Sequence, residues 1–256
     1  MSVSVFPIKA FNDNYIWCLH NKTQCSVVDP GDAAPVLAYC QDNQLTLSAI
    51  IITHHHWDHT GGIDALLAAF PNIPVYGPQN KNIKQITVRL SQGDDIELAL
   101  LGVKFSILEV PGHTLDHIAY YGDIGLFCGD TLFSAGCGRL FEGTPQQMFA
   151  SLSKLTALPA DTAVYCTHEY TMANIAFAEA VEPNNQALID YKRWVNQQRA
   201  ENTPTLPSNI QRELDVNPFL RCHSAELVAN VSQNMGAMLA SEQEIFASLR
   251  SWKDNF

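Results

Sequence analysis

The sequence contains neither a long hydrophobic run nor a basic leader that precedes one. None of its apolar runs reaches the ~18 residues typical of a membrane-spanning helix, and its first residues, MSVSVFPIKAFNDNYIW, include no basic segment leading into an apolar one. We therefore expect a protein that is neither secreted nor membrane-spanning. Charged residues make up only 16% of the chain and hydrophobic residues 46%, a balance that excludes a disordered chain and indicates a folded globular protein.

Closely spaced cysteine pairs and an excess of positive charge are also missing. The seven cysteines form no CxxC pair, and their odd number argues against a disulfide framework, so we expect a reducing compartment, the cytoplasm. The 15 basic and 26 acidic residues give a formal charge of −11, the wrong sign for binding nucleic acid or acidic lipid by bulk electrostatics. We expect a monomer that binds neither nucleic acid nor a membrane; an anionic ligand would need a local cationic site, which bound divalent metal ions can supply.

Residues 3 to about 170 alternate short β-type runs with helical ones. Strands are indicated by their Val, Ile, Phe, Tyr and Cys content, and they are VSVFPI, YIWCLH, CSVVD, SAIII, VKFSILEV, HIAYY, GLFCGD and AVYCTH. Helices are indicated by apolar residues at three- and four-residue intervals in DAAPVLAYCQDNQ, GGIDALLAAF and TPQQMFASLSKLTAL. This alternation predicts sheets covered by helices, an α/β sandwich.

The character of the chain changes after residue 172. The segments MANIAFAEAVE, NNQALIDYKRWVNQQRAEN and EQEIFASLRSWKDNF are helical by period, whereas TPTLPSNI is predicted to be a proline-broken connector. We therefore predict a main domain over residues 1–172 and a small helical domain over residues 173–256.

The stretch THHHWDH, residues 53–59, places four histidines and an aspartate directly after the predicted strand SAIII. If the strand continues, side-chain alternation puts His54 and His56 on one face and His55 on the other. Asp58 and His59 then come from the turn beyond the strand. So dense a cluster of ionisable groups would be costly to bury without a metal, so we predict four ligands here and exclude His55.

Three later segments can supply further ligands. PGHT, CGDT and CTHE place His113, Asp130 and His168 at the ends of predicted strands, beside glycine or a turn. Each residue alone is more often structural than metal-binding, and His117, four residues past His113, is expected to be structural. Strand ends on one edge of a sheet converge, however, as binding sites on loops tend to do.

Together these residues can hold two metal ions. We predict one ion on His54, His56 and His113, a second on Asp58, His59 and His168, and Asp130 bridging the two. A hydroxide held between the metals would complete both shells, which is the arrangement expected for two-metal hydrolysis.

The motifs also have a parallel in a known family. In order and spacing, THHHWDHTGG, PGHT, CGDTLFSAGCGRLFEGT, THEYT, NPF and RSWKDNF resemble the hydroxyacylglutathione hydrolases, also called glyoxalase II, over essentially the whole chain. The first motif alone marks the wider metallo-β-lactamase fold, and GDTLFSAGCGR, HEYT and NPF narrow it to this branch. The resemblance implies an αββα metallo-β-lactamase sandwich with a C-terminal all-helical, substrate-binding domain.

The resemblance also implies an activity. It is hydrolysis of S-(2-hydroxyacyl)glutathione, typically S-D-lactoylglutathione, to glutathione and a 2-hydroxy acid such as D-lactate, in methylglyoxal degradation. The implied metals are two zinc ions, with iron or manganese sometimes substituting. A metal-bridging hydroxide would attack the thioester, with Asp58 and Asp130 as catalytic carboxylates. The positions that match the family's glutathione contacts are Arg139, Tyr170, Arg250 and Lys253.

Other interpretations stay open at this point. Arg250 and Lys253 can equally compensate the dipole at a helix end, and Cys137 in the loop AGCGR can be a nucleophile or simply a small residue. A persulfide dioxygenase with one iron, a lactonase or a β-lactamase would share the fold, although a single-iron enzyme would not need the second ligand set. A metal-dependent nuclease is disfavoured by the acidic balance, and an inactive metal-binding protein by the complete ligand set.

Overall fold

The computed structural model describes residues 3–256, which divide into two compact units. The first unit comprises residues up to 109 together with residues 116–129, and the second comprises residues 110–115 and those from 130 onward. The boundary that we predict near residue 172 falls inside the second unit, next to the start of a helix at Thr171, and it stays a prediction. Among the described residues, no helix is long and apolar enough to cross a membrane.

The strands and helices of the first unit alternate along the chain. In chain order they are β1 (Ser4–Ala10), β2 (Asn14–His20), β3 (Gln24–Val28), α1 (Ala33–Asp42), β4 (Thr46–Ile51), α2 (Trp57–Thr60), α3 (Ile63–Ala69), β5 (Val75–Pro78), β6 (Val88–Leu90), β7 (Asp95–Leu98), β8 (Val103–Glu109), β9 (Ile118–Gly122) and β10 (Gly125–Gly129).

Strand β4 lies inside the first sheet of this unit. The sheet has the order β1-β2-β3-β4-β5-β6, antiparallel from β1 to β3 and parallel from β3 to β6. Strands β3 and β4 are buried along most of their length, as expected for parallel strands that are covered on both faces. A second group of strands follows the order β10-β9-β8-β7 and is antiparallel.

Helices α1 and α3 contribute to the core that supports β4. Val36 of α1 and Leu66 of α3 are fully buried in one cluster with Val27 and Ile50 of the neighbouring strands. Full burial of such a side chain stabilises the fold by about 1.5–3 kcal/mol. The end of β4, from which the histidine cluster starts, is therefore anchored in well-packed structure.

The second unit is mainly helical. In chain order its elements are β11 (Leu132–Phe133), β12 (Gly136–Cys137), α4 (Pro145–Thr156), β13 (Ala163–Cys166), α5 (Thr171–Val181), α6 (Gln186–Ala200), β14 (Ser208–Asn209), α7 (Ile210–Val216), a 3₁₀ turn (Pro218–Leu220), α8 (Ala225–Met235) and α9 (Glu242–Asp254). Helices α5, α6 and α7 share an apolar cluster with Ala135 of the turn between β11 and β12.

All the predicted strands and helices are present in the structure. The short strands β5, β6, β7, β11, β12 and β14 and the helices α2, α7 and α8 were missed. The segment TPTLPSNI is a connector only in part, because Asn209 caps α7 through its side chain, which accepts a hydrogen bond from the backbone N–H of Arg212 at 2.8 Å.

Candidate metal centre

The stretch THHHWDH does not continue strand β4 as we expected. The strand ends at Ile51, and residues 52–56 form an irregular turn into the single-turn helix α2, which carries Asp58 and His59. His54, His55 and His56 therefore do not alternate along a strand, and our prediction on this point was wrong. The direction of each side chain follows from the turn and from the partners that it meets.

His54 and His56 nevertheless turn toward each other. The Nε2 atom of His54 lies 3.1 Å from Nδ1 of His56, and Nδ1 of His54 lies 3.0 Å from the hydroxyl oxygen of Thr53. His55 instead has its Nδ1 atom 2.9 Å from a carboxylate oxygen of Asp116. The contacts thus separate His55 from its two neighbours, and the facing nitrogens of His54 and His56 suit binding to one ion.

Asp29 orients the ring of His59. Its Oδ2 atom lies 2.9 Å from Nδ1 of His59 and accepts the hydroxyl proton of Thr53 at 2.7 Å, while Oδ1 accepts the backbone N–H of Thr53 at 2.8 Å. A carboxylate in this position fixes the tautomer of a histidine and leaves Nε2 for a metal. The Nε2 atom of His59 faces Asp58, at 3.5 Å from Oδ2, which also accepts a hydrogen bond from Asn14.

Glycines hold helix α2 against the loop after β3. A Cβ atom on Gly31 would lie only 1.9 Å from the carbonyl oxygen of Asp58, and one on Gly62 would lie 2.5 Å from that of Pro30. The backbone N–H of Gly62 donates to the same Pro30 oxygen at 2.9 Å. Glycine is required for this close approach, which fixes the backbone of Asp58.

In the second unit, Asp130 lies between two histidines. Its Oδ2 atom is 3.3 Å from Nε2 of His113, and its Oδ1 atom is 3.4 Å from Nε2 of His168. All three residues are nearly buried, with exposed fractions of 4–6%. Each oxygen of the Asp130 carboxylate thus faces a different imidazole.

The backbone around these residues fixes their direction. Asp130 directly follows β10, and His168 comes two residues after β13, as the predicted strand ends require. The Nδ1 atom of His113 lies 2.8 Å from the carbonyl oxygen of Arg139, so its Nε2 atom is the one left to face Asp130. Imidazole nitrogens and carboxylate oxygens are a donor set that fits zinc, iron or manganese.

A group of basic residues surrounds Asp254 near the end of α9. Oδ1 of Asp254 lies 3.3 Å from Nε of Arg139 and accepts a hydrogen bond from Nη2 of Arg250 at 3.0 Å. The side chain of Arg139 is 57% exposed, whereas Arg250 is buried, donates to the carbonyl oxygen of Cys137 and lies over the ring of Phe219. Arg139 can therefore reach a ligand, while Arg250 is largely occupied by protein contacts.

Lys253 and Tyr170 differ in their environments. The Nζ atom of Lys253 donates to the carbonyl oxygen of Ala173 at 3.2 Å and lies 5.1 Å from the ring centre of Phe177. Burial, together with the charge of Arg250, holds the pKa of Lys253 below its usual value of 10.5. Tyr170 is partly exposed and stacks on the ring of His168.

The interpretation of Cys137 as a nucleophile has no support in this environment. The thiol is buried, and burial raises its pKa above the ordinary value, so the reactive thiolate is disfavoured. His117 stacks on His54 with ring centroids 4.6 Å apart, as a structural group would. Phe141 is 62% exposed.

Sequence reasoning missed Asp29, Glu213 and the role of Asn217. Asp29 directly follows β3 in the segment VVDPGD, and an acidic residue at the end of a buried strand is the only available hint. Glu213 is fully buried in a helix that was not predicted. Asn217 lies in the motif NPF, which indicated the family but predicted no structural role for this residue.

The comparisons with known proteins first define the class of protein. Residues 12–168 match the family model "Metallo-beta-lactamase superfamily". Among solved structures, ETHE1 from Myxococcus xanthus is similar with a TM-score of 0.64 and 23% identity, over 99% of this chain and 98% of that one. The BLEG-1 B3 metallo-beta-lactamase is similar with a TM-score of 0.63 and 25% identity, over 86% and 99%. The protein is thus a metal-dependent hydrolase with the predicted α/β sandwich fold of this superfamily.

Within the superfamily, residues 169–256 match the model "Hydroxyacylglutathione hydrolase C-terminus". The hydroxyacylglutathione hydrolase of Vibrio parahaemolyticus is 53% identical over 255 residues, covering 99% of this chain and 100% of its own length. That of Nitrosomonas eutropha is 50% identical over 254 residues, covering 99% of each chain. The chain belongs to the hydroxyacylglutathione hydrolase family, as its motifs predicted.

Proposed function

We propose that this protein hydrolyses S-(2-hydroxyacyl)glutathione thioesters, with S-D-lactoylglutathione as the main substrate. The products are glutathione and a 2-hydroxy acid, here D-lactate, and the reaction is the second step of methylglyoxal degradation. The observation that carries the proposal is Asp130, whose two oxygens face His113 and His168 in a chain that is half identical to hydroxyacylglutathione hydrolases.

We assign the metal ligands as the motifs predict. One divalent ion would be held by His54, His56 and His113 and a second by Asp58, His59 and His168, with Asp130 as a ligand that the two ions would share. The facing nitrogens of His54 and His56 support the first set, and the orientation of His59 by Asp29 supports the second. Zinc is our assignment because it binds imidazole and carboxylate in open catalytic sites, with iron or manganese as substitutes.

These ligands determine the separate roles of the metal ions and of the aspartates in the reaction. Divalent metal ions bound by these residues would lower the pKa of a coordinated water to about 7 and polarise the thioester carbonyl, so they would supply a nucleophile and a Lewis acid at neutral pH. Asp58 and Asp130 act as the catalytic carboxylates that orient the attacking oxygen. The leaving group is a thiolate, and since a thiol has a pKa of about 8.5, no strong general acid is needed from the chain.

The glutathione part of the substrate carries two carboxylates and needs cations or good donors. We assign this role to Arg139, Tyr170, Arg250 and Lys253. The exposed guanidinium of Arg139 and the partly exposed phenol of Tyr170 are suited to direct contact, whereas the buried Arg250 contributes mainly its charge. We infer that residues 173–256 form the helical substrate-binding domain and residues 1–172 the metal domain.

Composition and cysteine state bear on the partners and the cellular compartment of the enzyme. The charge of −11 disfavours nucleic acid as a partner, and all seven cysteines are free in the structure, which fits the cytoplasm. We infer that the enzyme acts there as a monomer on a small-molecule substrate.

The test is hydrolysis of S-D-lactoylglutathione by the purified, metal-loaded protein, followed by loss of the thioester. We expect saturable hydrolysis by the intact protein. Asp130→Ala should lose nearly all activity and part of its bound metal, measured by elemental analysis, because the bridge between the ions is removed. The matched control Asp123→Ala removes an exposed carboxylate from the turn between β9 and β10 and should keep both. An intact protein that opens a lactone or oxidises a persulfide, but leaves this thioester alone, contradicts the proposal.

A further inference from the structure

The short hairpin formed by β11 and β12 is bound by side chains from three helices. Helix α5 supplies Asn174, α7 supplies Glu213 with Asn217 directly after it, and α9 supplies Arg250. The main-chain groups they bind, with donor–acceptor distances, are Phe133 O (Asn217, 3.2 Å), Ser134 O (Asn174, 3.0 Å), Ala135 N (Glu213, 2.8 Å), Gly136 O (Asn217, 2.9 Å) and Cys137 O (Arg250, 3.0 Å). Each residue from 133 to 137 thus has a main-chain group paired with a helical side chain or with Asn217.

Glu213 is the centre of this arrangement. It is fully buried, and its Oε2 atom accepts hydrogen bonds from the backbone N–H of Ala135 and from Nδ2 of Asn217, at 2.8 and 3.1 Å. Its Oε1 atom accepts the hydroxyl proton of Ser208. A buried carboxylate with these partners costs far more to disrupt than a surface group, because each donor that loses it is left unpaired in the interior.

The turn of the hairpin is conformationally demanding. Ala135 has a φ angle of +54°, a left-handed conformation that alanine rarely adopts. Such a residue persists only where the surrounding structure fixes it. The bond from its N–H to Glu213 is one of the contacts that fix it, so the shape of the turn depends on the carboxylate.

The base of the hairpin carries the residues of the proposed site. Asp130 precedes β11 and Arg139 follows β12, and the backbone N–H of Gly138 donates to the carbonyl oxygen of Thr131 at 3.2 Å. A Cβ atom on Gly138 would lie 2.0 Å from the carbonyl oxygen of Asp130, so the two ends of the hairpin are in close contact. The carbonyl oxygen of Arg139 also lies 2.8 Å from Nδ1 of His113. A displaced hairpin would therefore move Asp130, Arg139 and the ring of His113.

We propose that Glu213 and Asn217 are positioning residues for the catalytic centre. They hold the hairpin in the arrangement in which Asp130 faces both His113 and His168. The same arrangement sets the position of Arg139, which follows β12. Neither residue touches the reacting atoms. We call the hydrogen bonds of Glu213 and Asn217 to the hairpin the clamp. The inference rests on the proposed function for the roles of Asp130 and Arg139, but the clamp itself is a property of the folded chain.

The experiment compares Glu213→Ala with Glu213→Gln in the full-length protein. Glutamine keeps an oxygen for Ala135 and Asn217, and its NH₂ group can donate to the hydroxyl of Ser208. We expect Glu213→Ala to lower kcat and metal retention after dialysis by about tenfold or more, as is usual for groups behind metal ligands. In Glu213→Gln, kcat and metal retention should stay within about threefold of the unmodified protein, because a factor of this size corresponds to the net contribution of about one hydrogen bond.

One further readout and one control variant separate positioning from general stability. Amide hydrogen exchange at Ala135 should accelerate in Glu213→Ala, and this measurement needs neither metal nor thioester. Val195→Ala, which removes buried volume from the cluster next to the hairpin without touching its hydrogen bonds, is the control. It should lower stability but keep metal retention and kcat.

Several results would overturn the inference. Equal losses of kcat and metal in Glu213→Ala and Val195→Ala would reduce Glu213 to a stability residue, as would failure of Glu213→Gln to restore them. If Glu213→Ala does not fold, Asn217→Ala replaces it, since that change removes the donor to Phe133 and Gly136. Unchanged exchange and metal retention in that variant would count against the clamp. A protein that shows the exchange and metal effects but hydrolyses no thioester would refute only the proposed function.

Discussion

The phenol ring of Tyr170 lies parallel to the imidazole of His168, with ring centroids 4.6 Å apart and planes 2° apart. One residue thus combines two tasks, because the ring supports a proposed metal ligand and the partly exposed hydroxyl is available to substrate. The tasks can be separated by mutation, since phenylalanine keeps the ring and alanine removes both.

We expect Tyr170→Phe to raise KM for S-D-lactoylglutathione about three- to tenfold with little change in kcat, the loss expected for one hydrogen bond of about 0.5–1.5 kcal/mol. Tyr170→Ala should also lower metal content, because His168 loses its stacking partner. Steady-state kinetics and elemental analysis check both. An unchanged KM in Tyr170→Phe would mean that the hydroxyl does not contact the substrate.

Asp29 should control metal affinity without binding metal. Asp29→Asn keeps the shape of the side chain but removes the charge that orients His59, so we expect metal affinity to fall about 10–100-fold. Competition with a chelator of known affinity measures this loss. Asp64→Asn, an exposed change in α3, is the matched control and should leave affinity unaltered. Equal affinities for the two variants would rule out an orienting role for Asp29.

Glu213 should make stability depend on pH. Burial raises the pKa of its carboxyl above the ordinary 4.5, against the opposing effect of its hydrogen-bond donors. Between 4.5 and the raised value, the folded protein holds a proton that the unfolded chain releases, so the free energy of unfolding falls as pH rises through this window.

The comparison with Glu213→Gln isolates this contribution. Urea unfolding of the metal-free proteins should show a steeper fall with pH in the unmodified protein, by at most about 1.4 kcal/mol per pH unit for one proton. Below pH 4.5 the difference between the two curves should be constant. Parallel curves across the whole range would contradict the raised pKa.

Helix α4 begins with a capping box whose loss should be measurable. The hydroxyl oxygen of Thr144 accepts from the backbone N–H of Gln147, and the side-chain oxygen of Gln147 accepts from the backbone N–H of Thr144. Thr144→Ala should lower the free energy of unfolding by about 0.5–2 kcal/mol, and Thr144→Ser should restore most of it. Denaturant unfolding measures these free energies, and equal stability of the alanine and serine variants would argue against the cap.

The sequence predicted the long periodic elements because their signals are local. The polar cap and early proline of α4 lie in the segment TPQQ, and both are present in the structure. The family could also be predicted, because its motifs are short and ordered along the chain.

Other features could not be predicted because tertiary contacts decide them. His54 and His56 face each other, but the reason is a turn after Ile51, not the strand that we expected. Asp29 meets His59 thirty residues later in the chain, and Glu213 meets Ala135 seventy-eight residues earlier. No local period or spacing encodes such pairs, which a single sequence shows only as isolated acidic residues.

The hairpin of β11 and β12 has a consequence for biosynthesis. Its backbone is complete long before Arg250 in α9 is made, yet the carbonyl group of Cys137 pairs with that arginine. Chains leave the ribosome N-terminus first and fold domain by domain. We therefore expect the hairpin, and Asp130 at its base, to reach the native arrangement only after Arg250 has left the ribosome, so that metal loading of a finished centre follows the synthesis of α9.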